Sequence, residues 1–144
     1  MDHLMNLRFS HYFIFMKEIT VETKKKEEMI DITDEVLQIV EKEGTCDGMC
    51  VVFVPHTTAG VTINENADPD VRHDILLGLR SIVREEPMFR HAEGNSAAHI
   101  KALLAGSSVT VIVKDGKVML GQWQGIYFCE FDGPRKRNAW VSVK

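Results

Sequence analysis

Cysteine is scarce in this chain, and what there is does not pair. Cys46, Cys50 and Cys129 are odd in number and lack the two-by-two spacing of a thiolate zinc site. That argues against a disulfide framework and fits a reducing compartment, so a cytoplasmic location is expected. Cys50 and Cys129 sit in apolar runs and read as buried free thiols. Long apolar runs are missing too. The segment Phe9–Phe15 is too short to span a bilayer, and charged Lys17-Glu18 follows it where a leader would need small residues. Nor is positive charge in excess: 17 Lys and Arg against 21 Asp and Glu give a net charge of −4. This leaves no broad electropositive face for nucleic acid, and Arg135-Lys136-Arg137 is the best candidate for a local basic patch. Internal repeats and low-complexity linkers are also lacking. What is present, 144 residues with 44% apolar and 26% charged side chains, suits one globular core. Met1–Phe15 reads as an appended segment and 16–144 as a single domain. His3 and His11 are set aside with the former.

Periodicity predicts an α+β fold, a mostly antiparallel sheet packed with about three helices. Lys17–Lys24 and Met29–Ile32 alternate like strands around a charged turn, a hairpin in outline. Thr33 is placed to cap a helix that ends near Gly44. Val51-Val52-Phe53-Val54 is the densest β-forming run, and Val61–Asn64 follows as another strand. Asp68-Pro69 opens a second helix. Its apolar residues Val71, Ile75, Leu76, Leu79, Ile82 and Val83 form one stripe. Asn95 is placed to cap a third helix, with Ala97, Ile100, Leu103 and Leu104 facing the core. Three strands close the chain, Ser108–Lys114, Val118–Phe131 and Arg137–Val143. Asp115-Gly116 marks a hairpin, and Gly121 and Gly125 mark a bulge or kink.

Chemistry concentrates in four histidines within 44 residues, His56, His73, His91 and His99. Imidazoles serve metal binding or proton transfer. His91 and His99 can meet if the loop folds back over its helix, and His73 could add a third imidazole from the neighbouring helix or from another subunit. Three imidazoles and a water would suit zinc or a similar divalent ion. Away from such a site, His73 is an ordinary surface histidine beside Leu77. His56-Thr57-Thr58-Ala59-Gly60 can bind an anion with its hydroxyls and backbone, or be a plain turn. Glu65 can serve as a base. Trp123 can stack on a planar ligand or pack in the core. Arg135 and Arg137, alternating on a strand, would present two forked cations to a phosphate or diphosphate, or form a solvated shoulder.

Taken together, His56-Thr57-Thr58-Ala59, Asn64-Glu65-Asn66, His91…Gly94-Asn95…Ala98-His99-Ile100, Leu120-Gly121-Gln122-Trp123-Gln124-Gly125-Ile126 and Asp132-Gly133-Pro134-Arg135 resemble the YjbQ-like family of small bacterial and archaeal proteins. The resemblance runs from about Lys17 to Val143 with the motifs in order. It implies a compact α+β fold assembled as a homotrimer with clefts between subunits. It also implies a divalent metal near the histidines. The activity it implies is a secondary thiamine-phosphate synthase, joining hydroxymethylpyrimidine diphosphate to thiazole phosphate and releasing diphosphate. His56, Glu65, His73, His91, His99, Trp123 and Arg135 are carried over as site residues. On this reading His56, Glu65 and Arg135 act in catalysis, and Thr57, Thr58, Asn95, Trp123 and Arg137 bind a small phosphorylated substrate. His73, His91 and His99 hold the metal. Two other readings remain open: a metal-dependent hydrolase of a small phosphorylated or amide substrate, and a non-catalytic metabolite-binding trimer.

Overall fold

The structure is a computed structural model, and it describes residues 15–144. The appended segment expected at the N-terminus falls almost wholly outside the described residues. In chain order the elements are β1 (Met16–Glu22), β2 (Glu28–Asp31), α1 (Thr33–Glu43), β3 (Gly48–Phe53), β4 (Ala59–Glu65), α2 (Pro69–Ile82), α3 (Ser96–Ala105), β5 (Ser108–Lys114), β6 (Lys117–Met119), β7 (Gln124–Glu130) and β8 (Lys136–Val143). The chain is α+β with three helices and antiparallel strand pairs, as its periodicity predicts.

The strands form two sheets rather than one. Five make the order β1-β8-β3-β5-β6 and three make β2-β7-β4. This corrects two expectations. β1 and β2 are not a hairpin, because β1 pairs with β8 and β2 with β7 in the other sheet. The long strand expected over Val118–Phe131 is two strands in different sheets, and the chain crosses between them at Leu120–Trp123. The glycine there marks a change of sheet, not a bulge.

Alternation along β7 explains the layering. Ile126 and Phe128 point into a core shared with Val52, Val111, Val141 and, from α1, Val36 and Val40. Tyr127, Cys129 and Phe131 point the other way, onto Ala98 and Ala102 of α3 and onto Ile75, Leu76 and Leu79 of α2. Both faces of β7 are thus covered, which is why Gly125 to Glu130 is buried without a break.

The helix faces depart from expectation. α3 turns Ala97, Ala98, Lys101 and Ala102 inward, while Leu103 is 78% exposed and Leu104 lies in solvent beside it. Small residues face β4 because the backbones approach closely. A Cβ on Gly60 would sit 2.5 Å from the Gly106 carbonyl oxygen. Lys101 is tolerated inside because its ammonium pairs with Glu27, which also accepts from Arg80 Nε at 2.6 Å. On α2 no residue is fully buried, and Ile82 leaves the stripe altogether. The outer face of the five-stranded sheet exposes Met49, Val51, Phe53, Ile112 and Met119. A sheet face covered by water alone is ordinarily polar, and this one is largely apolar.

At the helix starts, Asp68 caps α2 by accepting from the Asp70 amide at 2.9 Å, with Pro69 at the first position. Thr33 does not cap α1. Asp31 accepts from the Thr33 amide, and the Thr33 hydroxyl accepts from the Ile126 amide at 2.8 Å, tying α1 to β7.

Candidate functional site

Between β3 and β4 the chain passes from one sheet to the other through Pro55-His56-Thr57-Thr58. This crossing is pinned at both ends: the Val54 amide donates to Ser107 O, and the Phe131 amide donates to Thr58 O. A basin of about 590 Å³ opens beside it. That volume is in the range of small-molecule sites. Eight of the eleven residues singled out from sequence line it: His56, Thr57, Thr58, His91, Asn95, His99, Arg135 and Arg137. Glu93 and Asp132 line it too, and the sequence reading had passed over both.

The floor is a buried ion pair. Arg137 donates from Nε to Glu130 Oε2 at 2.8 Å and from Nη2 to Glu130 Oε1 at 2.6 Å. Its Nη2 also donates to the Thr58 hydroxyl at 2.7 Å. The two side chains are 5% and 0% exposed. Glu130 is saturated further by the Asp132 amide and the Thr23 hydroxyl, at 2.9 and 3.0 Å. Burial alone would raise the Glu130 carboxyl, but these donors and the guanidinium charge hold it below its ordinary value. A carboxylate with four donors is at once neutralised and fixed in place.

This corrects the expectation of two free guanidiniums on one strand face. β8 begins at Lys136, so Arg135 belongs to the preceding turn and does not alternate with Arg137. Arg135 donates to the Asp132 carbonyl at 2.9 Å and to Asp132 Oδ2 at 3.0 Å. Each arginine brings its own carboxylate. The turn lies against the residues just after β1, where Thr23 accepts from the Arg135 amide at 2.8 Å, and only glycine fits at 133 beside the Lys25 carbonyl.

His56 is held from β8, whose Asn138 amide donates to Nε2 at 2.9 Å. Desolvation, helped by the Arg137 charge, lowers the pKa of the ring. The Phe128 ring meets it edge-on at 6.5 Å. An imidazole whose Nε2 lone pair is already taken cannot use that nitrogen as a base.

The rest of the lining includes the loop before α3 and the start of that helix. His91 and His99 do fold together, with ring centroids 5.3 Å apart and planes near perpendicular. Glu93 Oε2 approaches His91 Nε2 at 3.9 Å. Asn95 stands at the head of α3 without capping it, because the Ala97 amide takes Glu85 instead. The Asn95 Nδ2 donates to Asp132 Oδ2 at 2.9 Å, and its Oδ1 is buried with no hydrogen-bond partner.

Three residues lie elsewhere. His73 is exposed on α2, bound to Asp74 at 3.0 Å, and lines a separate depression with Arg72 and Met29. Glu65 ends β4 at the far end of the small sheet, where its carbonyl accepts from the Tyr127 hydroxyl at 3.1 Å. Trp123 is beside it, 57% exposed, in neither the core nor the basin. So the three-imidazole set is not assembled by one chain. Among the described residues no group of three or more His, Cys, Asp or Glu is arranged to hold a metal.

Glu130 is the residue sequence reasoning missed most plainly. Its signal was there: Ile126, Phe128 and Glu130 alternate onto the core face, as do Arg137, Ala139 and Val141. An acid and a base on buried faces of separate strands must find each other.

A two-sheet α+β domain with a histidine-rich basin at one sheet end defines a class of small proteins, and comparison identifies it. The model of the family described as UPF0047 protein YjbQ-like matches residues 17–144, and the chain belongs to that family. It is 52% identical over 123 residues to a UPF0047 protein of Methanocaldococcus jannaschii, covering 85% of this chain and 89% of the relative. With the UPF0047 protein YugU of Bacillus subtilis the identity is 49% over 129 residues, covering 89% and 98%. The crystal structure of a YjbQ/UPF0047 family protein from Clostridium acetobutylicum superposes with a TM-score of 0.87 at 53% identity, covering 89% of this chain and 99% of that one. No helix among the described residues is long and apolar enough to cross a membrane.

Proposed function

We propose that the basin binds a small phosphorylated substrate and that the protein is a cytoplasmic transferase of the secondary thiamine-phosphate synthase type. The observation carrying this reading is the convergence of His56, Thr57, Arg135 and Arg137 with His91 and His99 on the lining of one basin of about 590 Å³. In the reaction the bond from the pyrimidine methylene to the diphosphate oxygen breaks, and the thiazole nitrogen forms its bond to that carbon. Charge builds on the departing diphosphate, so prearranged donors are the main catalytic aid. Arg137 suits that role because Glu130 prevents it from moving.

Each arginine is already matched by a carboxylate, so a bound diphosphate calls for further positive charge. A divalent ion would supply it by neutralising phosphoryl oxygens. His91 and His99 are two of its ligands on this reading. The third, which one chain does not provide, is His73 of another subunit in a homotrimer. The exposed apolar sheet face of Met49, Val51, Phe53, Ile112 and Met119 supports self-association. Phe53 belongs both to that face and to the basin rim, so the site would lie at a subunit boundary.

The test is incubation of metal-replete protein with the two half-substrates. Thiamine phosphate should form, and His99→Ala should abolish it. Formation no faster than without protein rejects the reading. The hydrolase alternative loses ground because its two candidate bases fail: His56 Nε2 is occupied and Glu65 is at the other end of β4.

A further inference from the structure

We infer that His56 is a fixed hydrogen-bond donor rather than a base, and that its Nδ1–H and Arg137 Nη1 form a two-donor clamp for a phosphoryl oxygen of the ligand. The inference rests on the proposed phosphorylated substrate and adds how that group is gripped.

The argument starts from a backbone amide. Asn138 N–H can only donate, so His56 Nε2, 2.9 Å away, must offer its lone pair. A neutral imidazole carries one ring proton, and here it must sit on Nδ1. Protonating Nε2 would set two N–H groups against each other. Burial and the neighbouring Arg137 charge also disfavour the imidazolium. Nδ1 has no protein partner among the described residues. It is not sealed either, since the one buried unpartnered side-chain nitrogen or oxygen among them is Asn95 Oδ1. His56 lines the basin, so its N–H opens there.

The same reasoning applies to Arg137. Nε and Nη2 are spent on Glu130 and Thr58, while Nη1 takes no partner among the described residues and is not sealed. Residues 137 and 138 are adjacent on β8, so one strand sets both donors. With Glu130 cancelling the arginine charge, the clamp selects an oxygen acceptor by position more than by net charge.

Two amide replacements separate the ring nitrogens. His56→Asn puts an N–H near Nδ1. His56→Gln puts its amide near Nε2, where the carbonyl can still accept from Asn138. Titration with inorganic diphosphate, with and without magnesium, should show His56→Gln at least tenfold weaker than His56→Asn. That is the scale of one hydrogen bond to a charged group. Nitrogen-15 spectra of the unliganded wild type should show a neutral ring protonated at Nδ1 at pH 7. Equal or reversed affinities, or a ring protonated at Nε2, would overturn the inference. Wild-type protein that takes up no diphosphate would instead remove the proposed function, and the ring tautomer would then decide this inference alone.

Discussion

The two ends of the three-stranded sheet carry similar residues to opposite effect. At the Thr58–Glu130 end, a histidine, two arginines and two carboxylates are each held by a fixed partner. At the Glu65–Gln124 end, a half-buried carboxylate and an exposed tryptophan have no such network among the described residues, and His73 on α2 is exposed as well. β4 separates them by about 20 Å, seven residues at the rise of an extended chain. Burial with complete pairing turns polar residues into a prearranged site, and the same residue types without it remain surface. The strongest way to break the contrast is to unpair the floor. Glu130→Ala or Arg137→Ala leaves one buried charge uncompensated and should cost about 3–5 kcal/mol in urea denaturation. Replacing both at once, Glu130→Met with Arg137→Met, should recover much of that stability and still lose diphosphate binding. A single variant as stable as wild type would mean that the floor is not a paired, desolvated site.

A second disruption acts through the backbone. Gly60→Ala places a methyl 2.5 Å from the Gly106 carbonyl oxygen and 3.1 Å from Ala105 Cβ. Neither atom belongs to the end of a flexible side chain, so α3 must move away from β4 at about 1–3 kcal/mol. α3 carries His99, so the 5.3 Å ring contact with His91 should loosen with it. Thermal melting and the histidine ring resonances measure the two effects separately.

Much of this contrast was legible in the residue pattern, and the failures share one cause. Element positions followed from local periodicity and punctuation: Gly44 ends α1 in a left-handed turn, and Asp68-Pro69 begins α2. Pairing partners are not local. Nothing within Lys17–Ile32 says that β1 seeks β8 while β2 seeks β7. Helix faces misled where a close approach, not hydropathy, chose the inward side, as on α3. The site was half legible. His91 and His99 meet because eight residues span one turn of loop and the start of a helix. His73, Glu65 and Trp123 had only their residue types to recommend them. The free arginine pair failed because a turn, not a strand, holds Arg135.

Lowering the pH should weaken the locked end in two stages. The folded pKa of His56 lies below its ordinary value of 6.5, so on acidification the unfolded chain takes up this proton first. Its contribution is complete above about pH 6.5 and declines as pH falls below it. Glu130 also sits below its ordinary 4.5, so its contribution is complete above that value and is lost as pH falls through the folded pKa. Denaturant midpoints across pH should show both declines. His56→Gln, which does not titrate, should remove the first and leave the second. A midpoint in His56→Gln that tracks wild type between pH 7 and 5 would show that the ring is not held neutral.

At the exposed end the expected change is smallest. His73 is 71% exposed and among the described residues is bonded only to its neighbour Asp74, so His73→Ala removes little that the fold depends on. Glu65→Gln spares the carbonyl that Tyr127 uses, and Trp123→Phe spares the carbonyl that accepts from the Asn66 amide. Each should change the unfolding free energy by about 0.5 kcal/mol or less. The informative reading is what else moves. If this end meets another subunit in the proposed trimer, the same substitutions should shift the assembly state in sedimentation while leaving far-ultraviolet dichroism intact. If they shift neither stability nor assembly, the exposed end takes no part in the site. The proposal that His73 of another subunit supplies a third metal ligand would then fall.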